Sequence, residues 1–402
     1  MPHVILVHRY FAPDTPPYAS ILRELAEHFG TSGYEVTVLT CQPSYNRRVV
    51  RRAPRREQLS PHVRVVRFPV LDDRASSMLK TLNLVWFCLC LVVRVSRIGP
   101  TDVVMAASTP PVAVAATAAW LARRKGAAFI YHKQDIYPEV VVRSRPPRLA
   151  HKVMRHVDAH TDRRASKVVV LSRDMARTTA LRGVKSENVS VINNFDPWQL
   201  DALPDTDGDT AVETTTGDLT VVFAGNLGRF QGLEELFRAA VTLQADPVRF
   251  HFFGDGPLRA ELEKLVAAER LSNIEVHGYT DPSDVARFLK DRADLGIVSL
   301  TPGVIRCAYP SKTLSYLRNG TPILAIVEGD SELAGTVRAH RIGLQAEPGC
   351  VTELVSVLRG LAHDRSQLVG ANERARELYE HEFGRARRME QWSALLMDTA
   401  VR

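Results

Sequence analysis

The sequence predicts an α/β protein built from two doubly wound parallel-sheet domains, and three observations carry that prediction. The chain has 402 residues, 45% hydrophobic and 24% charged, a soluble composition with more length than one ordinary core accommodates. Apolar strand-like runs alternate with helical patterns in two separate blocks, which is the signature of parallel sheets covered by helices on both faces. Between the blocks lies DALPDTDGDTAVETTTGD, 201–218, rich in Asp, Thr and Gly and poor in large apolar residues. It reads as a linker.

In the first block, 1–200, HVILVHRYF, YEVTVLT, VRVVRF, TDVVMAAS, AAFIYHKQD and KVVVLS read as strands. ASILRELAEHF, an apolar segment at 81–93 and VAVAATAAWLARRKG supply helices between them. The second block, 219–383, restarts the alternation with strands LTVVFAGNL, VRFHFFGD, IEVHGYT, LGIVSL and ILAIV and helices EELFRAAVTL, LRAELEKLVAAERL and SDVARFLKDRA. From about Thr352 the tail reads as helical, and its last segment, 384–402, is expected to pack back on the first domain.

Open parallel sheets bind ligands beyond the carboxyl ends of their strands, so those ends are where chemistry is sought. Strand LTVVFAG runs into GNLGRFQG, where Gly225, Gly228 and Gly232 surround Asn226 and Arg229. Glycines there permit close backbone approach to a ligand; a Gly-rich surface turn would read the same way. Strand VRFHFF ends in Gly254, Asp255, Gly256 and Pro257, with Asp255 also a candidate helix cap. AYPSKTLSYLRNGTPILAIV, 308–327, reads as a helix opened by Pro310 and Ser311, stopped by Gly320 and followed by a strand. Lys312 sits at the positive end of that helix, an unfavourable place for a cation unless an anion binds there; a solvent-facing lysine is the alternative.

The formal charge of +7 and pI near 9.2 favour anionic partners. Five cysteines without metal-ligand spacing fit a reducing compartment and argue against a zinc site. The start MPHVILVHRYFAP lacks the three-part pattern of a secretory signal, so a cytoplasmic location is expected. The apolar run TLNLVWFCLCLVV, 81–93, falls short of the roughly 20 residues that span a bilayer. Between Arg47 and Arg67 lies a run of arginines with Glu57 as its one acid. It lacks interleaved aromatics and any nucleic-acid motif, so no nucleic acid is expected. Basic 47–67 beside apolar 81–95 reads as a contact with an anionic membrane surface; a buried helix with a solvated loop is the alternative.

Taken in order, AGNLGRFQGLEEL, FFGDGPLRAELE, VHGYTDPSDVARFL, PSKTLSYLRNGTPILA and GDSELA resemble glycosyltransferase family 4, retaining enzymes of the GT-B fold that use activated sugars. In the first domain, RYFAPDTPPYASILRELAEHFGTSGYEVTVLT is similar to that family's opening strand, acceptor loop and helix, and YHKQDIYPE to a segment lining its cleft. The likeness is nearest to the branch that makes bacterial capsule, exopolysaccharide and O-antigen, aminosugar transferases included.

The resemblance implies a nucleotide diphosphate sugar on the second domain and a lipid-linked or glycan acceptor on the first, with location on the inner face of the cell membrane. Arg229 and Lys312 would hold the diphosphate. Gly225, Asn226, Gly228, Gly254, Asp255, Gly256, Pro310, Ser311, Thr313 and Ser315 would line the donor site. Tyr18, Ala19, Ser20 and Glu139 would lie on the acceptor side. Asp135 and His132 are candidates for orienting or deprotonating the acceptor hydroxyl, with structural capping as the alternative. Negative charge on the departing diphosphate would be met by cations and helix N–H groups, so neither metal nor cofactor is expected.

Two departures from the family pattern stand out. Where many members carry two glutamates, this chain has Cys307 and Ser315, and where a lysine often follows the phosphate-turn arginine it has Gln231. Arg306 would then be a further diphosphate ligand or a solvated loop residue. A nucleotide-sugar epimerase and a non-catalytic scaffold remain alternatives to the transferase, as does a small natural product as acceptor.

Overall fold

The computed structural model describes residues 1–45, 52–72, 76–140, 148–197 and 217–400. Arg47, Arg48 and Arg51 of the arginine run, and 201–216 of the expected linker, lie outside the described residues. The chain divides into two compact units. Met1–Pro197, Cys307–Tyr309 and Arg385–Arg402 make up the first, Trp198–Arg306 and Pro310–Gly384 the second.

The first unit holds β1 (His3–Val7), β2 (Glu35–Cys41), β3 (Arg56–Ser60), β4 (Val63–Phe68), β5 (Val103–Ala107), β6 (Ala128–Lys133), β7 (Lys167–Val170) and β8 (Val189–Val191). They form one sheet in the order β3-β4-β2-β1-β5-β6-β7-β8. All neighbours run parallel except β3, which pairs antiparallel with β4. Val4, Ile5, Leu6 and Val7 of central β1 are enclosed on both faces, which is why that strand is an unbroken apolar run. The sheet is flanked by α1 (Pro17–Thr31), α2 (Ser77–Ser96), α3 (Ala113–Lys125), α4 (Arg148–Arg164) and α5 (Arg173–Ala180). The C-terminal helix, Arg385–Ala400, contributes Met389, Trp392, Leu395 and Leu396 to the same core, where Trp392 meets Phe29.

Helix α2 differs from expectation. Ser76 accepts a hydrogen bond from Leu79 N and starts the helix before the apolar run, and the helix continues past Arg94. It is 20 residues long, and Met78–Ser96 is long and apolar enough to cross a membrane by length and composition alone. Asn83, Phe87, Leu91 and Val95, spaced one helical turn apart, are buried in the unit. The opposite stripe, Met78, Leu82, Val85, Trp86, Leu89 and Val93, is between 47% and 69% exposed.

The second unit holds β9 (Leu219–Ala224), β10 (Val248–Phe253), β11 (Ile274–Gly278), β12 (Leu295–Ser299), β13 (Ile323–Ile326) and β14 (Gly343–Ala346), ordered β11-β10-β9-β12-β13-β14 and parallel throughout. Its helices are α6 (Leu233–Thr242), α7 (Arg259–Glu269), α8 (Pro282–Asp291), α9 (Lys312–Arg318), α10 (Glu332–His340), α11 (Val351–His363) and α12 (Ala371–Leu378). The strand order reverses at β9 and β12, the switch point where doubly wound sheets bind ligands. These strands pair only through Val221 with Leu295 and Val222 with Gly296, so beyond Val222 they splay apart.

Candidate active site

The fork between β9 and β12 is filled by a side chain from α9. Tyr316 inserts its ring against Gly296, where an added Cβ would lie 2.6 Å from the ring. Its hydroxyl accepts from Ala224 N at 2.8 Å, satisfying a backbone donor that the splayed ladder leaves unpaired. This packing fixes the start of α9 above the carboxyl end of β9. Lys312, one turn earlier, lies over Phe223 with its ammonium 3.8 Å from the ring centroid and donates to Gln231 Oε1. Burial of the amine lowers its pKa to about 7.

The remaining donor-side residues gather around this point. The turn after β9 carries Gly225, Asn226, Gly228 and Arg229, and Gly225 Cα lies close to the Lys312 stem, where a Cβ would meet Cε at 3.6 Å. Arg229 is exposed and has no ion-pair partner among the described residues, while its carbonyl accepts from Thr301 Oγ1 at 3.2 Å. The turn after β10 lies directly against this one. Gly254 has φ +126°, and a Cβ there would stand 2.0 Å from Gly225 O, so only glycine permits the contact. Asp255 O accepts from Leu227 N at 2.9 Å, and its carboxylate accepts from Gly256 N. Asp255 does not cap α7, whose N-cap is Leu258 without a side-chain hydrogen bond. Pro310 is buried, Ser311 exposed and Ser315 half-buried. Thr313 is 1% exposed and its hydroxyl has no hydrogen-bond partner among the described residues.

The three cationic candidates thus divide by environment. Arg229 and Lys312 belong to one rim, whereas Arg306 pairs with Asp330 at 2.9 and 3.0 Å. Cys307 belongs to the first unit: its carbonyl accepts from Ile136 N at 2.7 Å, and burial raises its thiol pKa to about 11.

In the first unit the acceptor-side candidates surround the end of β6. Tyr18, Ala19 and Ser20 form the first turn of α1; Tyr18 and Ala19 are buried, Ser20 half-buried. The Tyr18 hydroxyl shares a 2.8 Å hydrogen bond with His132 Nδ1, and His132 Nε2 meets the Gln134 amide at 2.9 Å. His132 is 1% exposed, and burial followed by the nearby His8 lowers its pKa to about 3. It is a neutral ring enclosed by Tyr18, Trp392 and Gln134. Asp135 follows, its amide donating to Ser108 Oγ at 3.1 Å and its backbone bridging Ala308. Burial raises its carboxyl pKa to about 6. Glu139 is held by Arg182 and by Arg155 at 3.4 Å.

Beneath these residues lies an ionic cluster that the sequence reading did not find. Lys133, fully buried, bridges Asp158 at 2.7 Å and Asp162 at 2.6 Å. Arg182 binds the same two carboxylates at 2.5 and 3.0 Å and also the Tyr137 carbonyl at 2.6 Å. The available signal was Asp158 and Asp162 four apart, which puts both carboxylates on one face of α4. Gln231, noted only as a departure, proves to be the hydrogen-bond partner of Lys312.

Comparison with known proteins agrees with this geometry. Residues 18–194 match the family of glycosyl transferase 4-like domains, and residues 218–364 match the glycosyl transferases group 1 family. The protein named "Probable glycosyltransferase WbjE" from Pseudomonas aeruginosa is 24% identical over 282 residues, 68% of this chain and 70% of that one. The "Putative colanic acid biosynthesis glycosyl transferase WcaI" of Escherichia coli K12 is 27% identical over 197 residues, 48% of each chain. Among solved structures, sucrose-phosphate synthase from Thermosynechococcus elongatus superposes with TM-score 0.75 at 17% identity, covering 99% of both chains. Anabaena Alr3699/HepE in complex with UDP gives 0.68 at 15%, covering 99% of this chain and 100% of that one. Two doubly wound units, a switch-point site in the second and these matches lead to one conclusion: the chain belongs to the glycosyltransferases, with a 4-like domain followed by a group 1 domain in the GT-B fold, and is a transferase enzyme.

Proposed function

We propose that the protein moves a sugar, with retention of configuration, from a nucleotide diphosphate donor to a lipid-linked or growing glycan acceptor in bacterial cell-surface polysaccharide synthesis. UDP is the favoured nucleotide, a reading supported by the UDP that Alr3699/HepE holds. The name of the WcaI relative supports the polysaccharide role. The observation that carries the reading is Lys312, a desolvated amine at the β9–β12 fork within reach of the Gly225 turn.

Donor cleavage builds negative charge on the departing diphosphate. An amine fixed by packing in a half-buried position stabilises such charge more than a fully solvated one does, because it needs less reorganisation. Lys312 binds the diphosphate as the ammonium, Arg229 adds a second cation, and the unpartnered Thr313 hydroxyl donates to a phosphate oxygen. These groups supply the charge stabilisation, so the transfer needs no metal. Asp135, with a pKa near neutrality, orients the acceptor hydroxyl, and His132 holds Gln134 beside it.

The acceptor arrives from a membrane surface on which the protein sits peripherally, at the cytoplasmic face. The exposed stripe of α2 supplies the apolar contact. Arg94 at its end has Arg56, Arg64 and Arg97 as charged neighbours, a basic cluster suited to anionic headgroups. The test is incubation with UDP-sugars with and without a bacterial lipid extract. Nucleotide release that requires the extract, with an anomeric configuration unchanged by NMR, is the expected result. Isomerised donor without extract would replace the reading with an epimerase, and binding without turnover with a scaffold.

A further inference from the structure

Strands β10 and β11 bring three ligating side chains to one face at the edge of the second sheet. His251 is paired in register with Glu275, and His277 lies two residues beyond Glu275 where the ladder shifts register; Glu275 and His277 are both exposed on either side of half-buried Val276, and the three ligating atoms lie within 4.8 Å of one another. His251 Nδ1 and His277 Nε2 are 3.0 Å apart, and Glu275 Oε2 lies 3.7 Å from the first and 3.8 Å from the second. A contact that short between two imidazole nitrogens requires at least one to present a lone pair. A point equidistant from the three atoms lies about 2.0 Å from each, the bond length zinc makes to His nitrogen and carboxylate oxygen.

We propose that His251, Glu275 and His277 bind a zinc-class divalent ion, with the fourth position open to solvent. The ion replaces the direct contact between the rings: that edge opens, and the two edges to the exposed Glu275 carboxylate close, by a few tenths of an ångström each, to the roughly 3.4 Å separation of ligands in a tetrahedral site. In the unbound chain the two rings lie 13° apart with centroids 5.3 Å apart and point at each other in a direct N–H···N bond, so binding requires them to swing until their lone pairs converge on the ion. Phe253 stacks on His277 at 4.1 Å and 6°, and Phe288 packs on His251 at 4.8 Å. The Glu275 side chain is 54% exposed, which leaves the entry path and the fourth position to water. Nearby Arg249 is paired with Asp218 at 2.7 Å, which offsets its charge.

The site is separate from the sugar-transfer machinery, yet it lies just below it. Gly278, next to His277, accepts the Gly254 N–H at 2.6 Å. An ion clamping edge strand β11 to β10 therefore steadies the base of the Gly254–Gly256 turn.

The experiment uses the full chain without a polyhistidine tag, freed of metal and titrated with zinc chloride against a chromophoric chelator. Cys350→Ser is included because that exposed cysteine offers a competing ligand. One ion per chain is expected in the wild type and in Cys350→Ser. Affinity falls at least tenfold in His277→Ala and in Glu275→Gln, and zinc raises the wild-type Tm but not that of either variant. Glu275→Gln changes an exposed side chain and serves should His277→Ala fail to fold. Absence of zinc binding, or binding that survives both variants or disappears in Cys350→Ser, would overturn the proposal.

Discussion

The Lys312 ammonium lies 3.8 Å from the centre of the Phe223 ring while hydrogen-bonding Gln231, and burial at this spot holds its pKa at about 7. A lysine so placed is largely neutral in mildly alkaline solution until an anion arrives. Binding of a nucleotide diphosphate then raises its pKa and draws in a proton. Calorimetric titration with UDP near pH ~8 in buffers of different ionisation enthalpy is expected to show proton uptake. In Lys312→Ala that uptake disappears and affinity falls; an unchanged proton balance would remove Lys312 from the diphosphate site.

Arg229, exposed and without an ion pair among the described residues, contributes little to folding. Arg229→Ala is expected to lower turnover about 10²–10³-fold, the usual cost of losing one group aimed at developing charge. Its stability should stay within about 0.5 kcal/mol of wild type. Steady-state rates and urea unfolding measure the two effects separately.

Asp135 has a folded-state pKa of about 6 against an ordinary 3.8. Between those values the folded chain retains a proton that the unfolded chain has released, so this group makes stability fall as pH rises through that window. Asp135→Asn lacks the ionisation. Its stability relative to wild type should therefore increase across the same window, read as the difference in unfolding midpoints, and a flat difference would contradict the assignment.

The Lys133, Asp158, Asp162 and Arg182 cluster is buried, and Lys133 and Arg182 would each keep a charge if one carboxylate were lost. Asp158→Ala is expected to cost about 3–5 kcal/mol in denaturant unfolding. Because Arg182 also holds the Tyr137 carbonyl, the segment carrying Asp135 should lose hydrogen-exchange protection in the same variant.

Adjacent aromatic residues on α2 should behave oppositely. Phe87 is 1% exposed, so Phe87→Ala is expected to destabilise the fold by about 3–5 kcal/mol through a core cavity. Trp86 is 47% exposed. Trp86→Ser combined with Leu89→Ser should reduce flotation with anionic liposomes while leaving the urea midpoint close to wild type.

The sequence by itself determined the fold class, because strands buried on both faces must be apolar throughout and their alternation with amphipathic helices leaves a doubly wound sheet as the packing solution. It also singled out Lys312 and Arg229, since a cation at a helix start and an arginine in a glycine turn are locally unusual. What it missed follows from weak local signals. Strands β3, β8 and β14 lie at sheet edges, where REQLS, VSV and GLQA need no apolar run because one side meets solvent. Only the tertiary structure decided which charges are neighbours. Lys133 and Arg182 both meet Asp158 from distant positions, Tyr316 reaches Ala224, and His251 faces His277 across a strand pair. Those meetings depend on strand order and register, which no short stretch of chain encodes.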